Sequence, residues 1–147
     1  FVIVNYPNSA LSSTHIPRVI NEFRDVFVAN RQYFPLDGRE VSLEDLQKYP
    51  ILMLDRKSTT SEFLHAMFQR SHLDLVPEIE LSSNDLLIDL ARIGLGIAFV
   101  PDFCIPANDK DLFVVKLKEE LPKRQMVVAY NERMPISQTA KQFMSML

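Results

Sequence analysis

The chain has 147 residues, 47% of them apolar, with 16 basic against 19 acidic side chains and a net charge of -3, enough sequence for one core or two small lobes sharing a hinge. The basic residues are scattered, with Arg56-Lys57 and Lys123-Arg124 as the only adjacent pairs, so the clustered basic face of a nucleic-acid module is absent from the sequence. A single cysteine, Cys104, excludes an internal disulfide and fits a reducing, cytoplasmic setting, and no apolar run is long enough to span a bilayer.

In chain order, residues 1–5 read as a buried strand with no initiator methionine before it, and Tyr6-Pro7-Asn8-Ser9 as the loop at its carboxyl end. Residues 23–29 form the next strand. Ser42 caps a short helix, SLEDLQKY, with Asp45 three positions on, and Pro50 ends it. Residues 51–54 are a strand. Thr59 and Glu62 have capping-box spacing and open a helix with Phe63, Leu64, Met67 and Phe68 on its apolar side.

The segment 77–101, PEIELSSNDLLIDLARIGLGIAFVP, is the most informative. It reads as a strand (78–81), a polar turn with Ser82 and Asp85 at capping-box spacing, and an amphipathic helix (83–93). Gly94 follows as a left-handed cap, and an apolar strand at 97–100 is stopped by Pro101. Residues 113–117 and 126–130 are further strands, and a helix from Ser137 is still in progress at Leu147. Both ends suggest a segment of a longer protein.

Short strands alternating with capped helices predict an α/β fold of βαβ units with a largely parallel sheet. Helix starts then collect on the carboxyl edge of the strands, where ligands of open α/β sheets bind and where the helix dipole favours an anion. Residues 118–124, charged and carrying Pro122, are the best linker, with a second crossing near Ala29-Asn30-Arg31.

Catalytic patterns fail one by one, so neither an enzyme nor a cofactor is expected. His15, His65 and His72 lack metal-ligand spacing, and no Gly-x-Ser-x-Gly nucleophile elbow occurs. Gly94-Leu95-Gly96 follows a helix and precedes a strand, the reverse of a dinucleotide fingerprint. Cys104, between Phe103 and Ile105, reads as an inert thiol.

Together these segments resemble the effector-binding domain of bacterial LysR-type transcriptional regulators. The residues that carry the match are DVFVA (25–29), SLEDLQKYPILML (42–54), the Ser/Thr turn at 58–61, IELSSNDLLIDLARIGLGIAFVP (79–101) and VVAYNERMPISQTAKQFMSML (127–147). The resemblance implies a periplasmic-binding-protein-like fold of type 2 with two lobes. Residues 1–29 and 119–147 would be a partial first lobe, and residues 30–118 a complete second lobe. It also implies a small-molecule effector, a small organic acid or other anion, bound in an inter-lobe cleft and controlling DNA-bound oligomer geometry. The full-length protein would be a homo-oligomer, dimer or tetramer, touching DNA only through a winged-helix domain that precedes this segment, and no membrane.

Ser58, Thr59 and Thr60 match the family's polar turn facing the effector. Plain capping explains one hydroxyl of the three in any case, and Thr59 could cap while Ser58 and Thr60 contact ligand. Ser82 and Ser83 occupy the equivalent turn of the next helix, with Asp85 opposing an anion there. Asn5, Tyr6 and Pro7 match the first-lobe loop, though Tyr-Pro-Asn-Ser is also ordinary turn sequence. Arg56 or Lys57 could add charge, but a solvated surface role explains both. The alternative reading is an extracytoplasmic solute-binding protein of the same architecture, delivering a small ligand to a transporter.

Overall fold

The computed structural model describes every residue except Ser13, Thr14 and Glu132, and of His15, Ile16 and Pro17 the backbone alone. Its elements are β1 (Val2–Tyr6), β2 (His15–Phe23), β3 (Asp25–Asn30), β4 (Glu40–Val41), α1 (Leu43–Leu46), β5 (Ile51–Leu54), α2 (Thr59–Arg70), β6 (Ile79–Leu81) and α3 (Asn84–Arg92). Then follow β7 (Ile97–Pro101), a 3-10 turn (Asp102–Cys104), β8 (Leu112–Val114), β9 (Lys116–Leu117), β10 (Arg124–Asn131) and α4 (Gln138–Met146). The chain divides into two compact units, Phe1–Phe23 with Lys123–Leu147, and Arg24–Pro122.

The larger unit is built on a five-stranded sheet in the order β6-β5-β7-β3-β8. Its strands alternate inward residues between two faces, as a two-residue period requires. Phe27 and Ala29 of β3, Ile51 and Met53 of β5, and Ile97 and Phe99 of β7 share one core cluster with Leu43 and Leu46 of α1 and Leu64, Met67 and Phe68 of α2. Val28, Leu52, Ala98 and Val100 face the opposite way, onto Leu87, Ile88 and Ala91 of α3. The near-continuous apolar runs of these strands therefore encode a sheet covered on both faces.

β6, β5 and β7 are mutually parallel, while β3 runs antiparallel to both β7 and β8. The expectation of a largely parallel sheet is thus corrected. Strand direction is set by the crossovers, and β3 enters the sheet from the other unit rather than through a βαβ unit. The same pairing places Asp25–Asn30 in the larger unit, so the division falls after Phe23 rather than near Ala29. The single strand expected at 113–117 is two. β8 pairs with β3, the Val115 amide donates to the Phe27 carbonyl at 2.8 Å, and β9 then pairs in parallel with β4.

Helix ends follow the sequence signals closely. Ser42 caps α1 by accepting from the Asp45 amide at 3.1 Å. α3 ends in a left-handed Gly94 (φ 83°), whose amide donates to the Ala91 carbonyl while the Leu95 amide donates to that of Leu90. These are the paired bonds of a Schellman cap. Asn30, 5% exposed, donates from Nδ2 to the Arg92 carbonyl at 2.6 Å and ties the end of α3 to β3.

Arg92 in turn pairs through Nε with Oδ2 of Asp109 at 2.9 Å and also meets Asp89. The Asp109 side chain is only 10% exposed. Burial opposes its charge, but the Arg92 bond and the amides of Asp111 and Leu112 outweigh that and hold its carboxyl below the usual range. A carboxyl lowered by folding stabilises the fold fully above its unfolded pKa, near 4. That contribution fades as pH falls through the lowered folded value. Asp109→Asn is therefore expected to cost about 1–2 kcal/mol at neutral pH, and less as the solution is acidified below about 4, in urea titrations run at several pH values.

The smaller unit is a three-stranded antiparallel sheet, β1-β10-β2, with α4. Phe1 stacks on Phe143 of α4 at 5.6 Å, and the Arg18 guanidinium donates to the Met144 carbonyl at 3.1 Å, a cation near the negative end of that helix. Ser137 caps α4 by accepting from the Ala140 amide. β2, nine residues long, is a strand that sequence patterning misses, because HIPRVINEF carries polar residues and a proline. It lies at the sheet edge, with Pro17 opposite Ala129 and a register shift at Met126/Val127, where a proline is tolerated.

Candidate functional site

The carboxyl ends of the parallel strands β5 and β6 hold two helix starts side by side. The Asp55 amide donates to the Leu81 carbonyl at 3.0 Å, joining the two strand ends. Asp55 then organises the turn into α2. Its Oδ1 accepts from the Lys57 amide at 3.1 Å and its carbonyl from the Ser58 amide at 3.0 Å. Ser58 arrives with extended backbone (φ -84°, ψ 144°), and its Oγ accepts from the Ser61 amide at 3.0 Å.

Ser58, not Thr59, is therefore the cap of α2. The turn set by Asp55 closes one residue earlier than the Thr59/Glu62 spacing suggested. Thr59, half-buried, begins the helix, and Thr60 is 2% exposed. The same one-residue correction applies next door. Ser83 caps α3 by accepting from the Leu86 amide at 3.3 Å, and Ser82 precedes it on the surface. Substituting Ser58 with alanine is expected to cost about 1 kcal/mol of stability. Thr59→Ala should cost clearly less, and reversed costs in thermal unfolding would restore Thr59 as the cap.

The two starts differ in their electrostatics. Around α2, Arg56 and Lys57 stand among Asp55, Glu62 and Glu80, the last approached by Arg56 at 3.9 Å. Around α3 no cation answers Asp85 in its first turn. Burial pushes the Cys104 thiol up, and Asp85, Asp25 and Asp102 push it further, so all three carboxylates lie close enough to act on it. Asp85 lies in the first turn of α3, and the turn before it, Ser82-Ser83, carries no basic side chain to set against it. An anion is better placed on α2 than on α3.

Asn5, Tyr6 and Pro7 belong to the other unit. Asn5 and Tyr6 close β1, opposite Met126 and Gln125, and the Tyr6–Pro7 peptide is cis. The following turn is held by Asn8, whose Oδ1 accepts from the Ala10 amide at 2.9 Å. The structure thus gathers Ser58, Thr59, Thr60, Ser82 and Ser83 at one strand edge of the larger unit, and Asn5, Tyr6 and Pro7 in the smaller one. Asp55 is the organising residue that sequence reading missed. Its signal was an Asp three positions before the capping serine at a strand end.

Among the described residues no group of three or more His, Cys, Asp or Glu side chains could hold a metal ion, and no helix is long and apolar enough to cross a membrane.

A model of the LysR substrate binding domain matches residues 7–147. The HTH-type transcriptional activator CmpR of Synechocystis sp. is 24% identical over 124 residues, covering 83% of this chain and 41% of that protein. The chain thus spans well under half of this relative. Among solved structures, the CcmR regulatory domain of Synechocystis in complex with 2-PG superposes with a TM-score of 0.85 at 21% identity, covering 98% of this chain and 69% of that one. The effector binding domain of QuiR in complex with shikimate gives 0.81 at 16% identity, covering 97% and 67%. At these identities the likeness shows the fold, an α/β architecture of the type 2 periplasmic-binding-protein-like kind.

Proposed function

This chain belongs to the LysR substrate-binding-domain family, and from that premise we propose that it is the effector-sensing segment of a transcriptional regulator, with the start of α2 receiving a small organic acid. One observation carries the choice of site. Two capped helix starts share the carboxyl edge of β5 and β6, and only the turn into α2 carries cationic side chains, Arg56 and Lys57. Ser58 fixes the turn, the Thr59 hydroxyl meets the ligand, Thr60 packs behind them, and Arg56 or Lys57 adds charge at the rim. Ser82 and Ser83 flank the site from α3. That the CcmR domain was solved with 2-PG and the QuiR domain with shikimate supports a small-molecule ligand for this chain too.

On this reading Phe1–Phe23 with Lys123–Leu147 supplies part of a first lobe and Arg24–Pro122 forms the second. The full-length protein is a homo-oligomer that contacts DNA through a separate domain. The effector acts by binding one arrangement of the protein more tightly than another, since equal affinity for both shifts nothing. The solute-carrier alternative gains no support from the relatives, one of which is an HTH-type transcriptional activator.

Calorimetric titration of the full-length protein with a panel of small carboxylates tests the assignment. Thr59→Val is expected to weaken the tightest member of the panel about fivefold or more while leaving the unfolding temperature within a degree or two, the size of one lost hydrogen bond to a charged group. Unaltered affinity in that variant would take Thr59 out of the site.

A further inference from the structure

The chain passes between its two units twice, and each passage is fastened to the larger unit by a carboxylate. In the first, Phe23 ends β2 opposite Arg124, and Arg24 follows at once. Asp102 binds both backbone groups of Arg24. The Arg24 amide donates to Asp102 Oδ2 at 3.3 Å, and the Asp102 amide donates to the Arg24 carbonyl at 2.8 Å. No slack residue separates the bonds of one unit from those of the other.

The second passage runs back through residues 118–123. The Lys118 amide donates to the Val41 carbonyl at 3.0 Å, and the Leu43 amide donates to the Glu119 carboxylate, with both oxygens at 3.2 Å. Leu43 is the first residue of α1, so its amide has no acceptor within the helix. The local cap, Ser42, serves the Asp45 amide instead. A side chain close in sequence would satisfy Leu43 and restrain nothing else. Glu119 does it from 76 residues away, and so fixes the passage as it caps the helix.

Beyond Glu119, Leu121 packs half-buried against the core, and Arg124 rejoins the ladder of the smaller unit. Arg24 and Glu119 to Leu121 line one cavity of about 240 Å³, so the two passages leave the larger unit side by side. Within the smaller unit the same segments are joined to each other. Phe23 pairs with Arg124, whose guanidinium lies 5.3 Å from the centre of the Phe23 ring, and Lys123 reaches Glu22 at 3.4 Å.

An amide donating to an ionised oxygen makes a stronger bond than one donating to a neutral carbonyl. We propose that Asp102 and Glu119 are hinge clamps, which hold both passages against the larger unit and confine bending to the Phe23–Arg24 link and residues 122–123. The device belongs to the chain itself and requires no ligand, so it stands apart from the acid site at α2.

The test is pulsed electron resonance on spin labels at Val19→Cys of β2 and Ala66→Cys of α2, both exposed, with Cys104→Ser removing the native thiol. Glu119→Ala is expected to make the spread of distances about twofold wider, because released linker residues absorb larger backbone rotations. Glu119→Gln keeps an acceptor oxygen and should restore most of the original width. Ser42→Ala weakens α1 without touching the clamp and should leave the width unchanged. Amide exchange supplies the second readout. Leu43 should exchange about tenfold faster in Glu119→Ala and Arg24 about threefold faster in Asp102→Ala, with Phe27 and Phe99 unaltered as evidence of an intact fold. An unwidened spread in Glu119→Ala, equal widening in Ser42→Ala, or an Arg24 amide no faster in Asp102→Ala would overturn the proposal.

Discussion

Phe99→Ala is expected to lower the unfolding free energy of this chain by about 3–5 kcal/mol, the range for removing a buried aromatic ring. Phe99 is 0% exposed on β7, between β5 and β3. Its ring lies 4.7 Å from that of Phe27 at 46°, and 6.4 Å from that of Phe63 in a stacked arrangement. Strand, neighbouring strand and helix α2 therefore meet on this one side chain. The cavity left by truncation is walled by a paired sheet, which cannot collapse into it without breaking ladder bonds. Urea unfolding followed by circular dichroism measures the effect. Phe103→Ala, at a ring 51% exposed, is the control and should move stability by less than about 1 kcal/mol. A loss at Phe99 as small as the control's would mean that the core is not packed as described.

The second large effect is expected at Gly96. A Cβ there would stand 2.6 Å from the Pro50 carbonyl oxygen and 2.8 Å from the Leu52 side chain. The same carbonyl accepts from the Ile97 amide at 2.8 Å, the bond with which β7 begins its parallel run beside β5. Backbone cannot yield as a side-chain tip can. Gly96→Ala is expected to cost about 2–3 kcal/mol or more, by overpacking against the strand that carries the start of α2. Gly38 separates this cause from backbone strain. It has φ 75° with open space around it, so Gly38→Ala carries only the left-handed penalty, about 1 kcal/mol. Equal losses at the two glycines in thermal unfolding would contradict the close approach at Gly96.

Gly94 and Gly96 together also show what sequence reading reaches. Gly94 was legible as a helix cap because an amphipathic period stops one residue before it. Gly96 was not, because its constraint comes from Pro50, distant in sequence. Strands 51–54 and 97–100 were legible from their apolar runs, and α1 and α4 from Ser42 and Ser137. The direction of β3 was not legible, since pairing direction lies in the connections and not in DVFVA itself. β2 was hidden because an edge strand needs no apolar alternation. The helix starts at 58–60 and 82–83 were visible as polar turns, but the choice between adjacent hydroxyls depended on Asp55 and its bonds across to Leu81.

The reading depends most on an acid being received at the start of α2, and amide-resolved titration of this chain with a panel of small carboxylates tests it most directly. The expected result is saturable shifts centred on Lys57–Ser61 with at least one acid, reduced in Thr59→Val. Shifts absent from that turn with every acid, or centred on the Ser82–Ser83 turn instead, would contradict it.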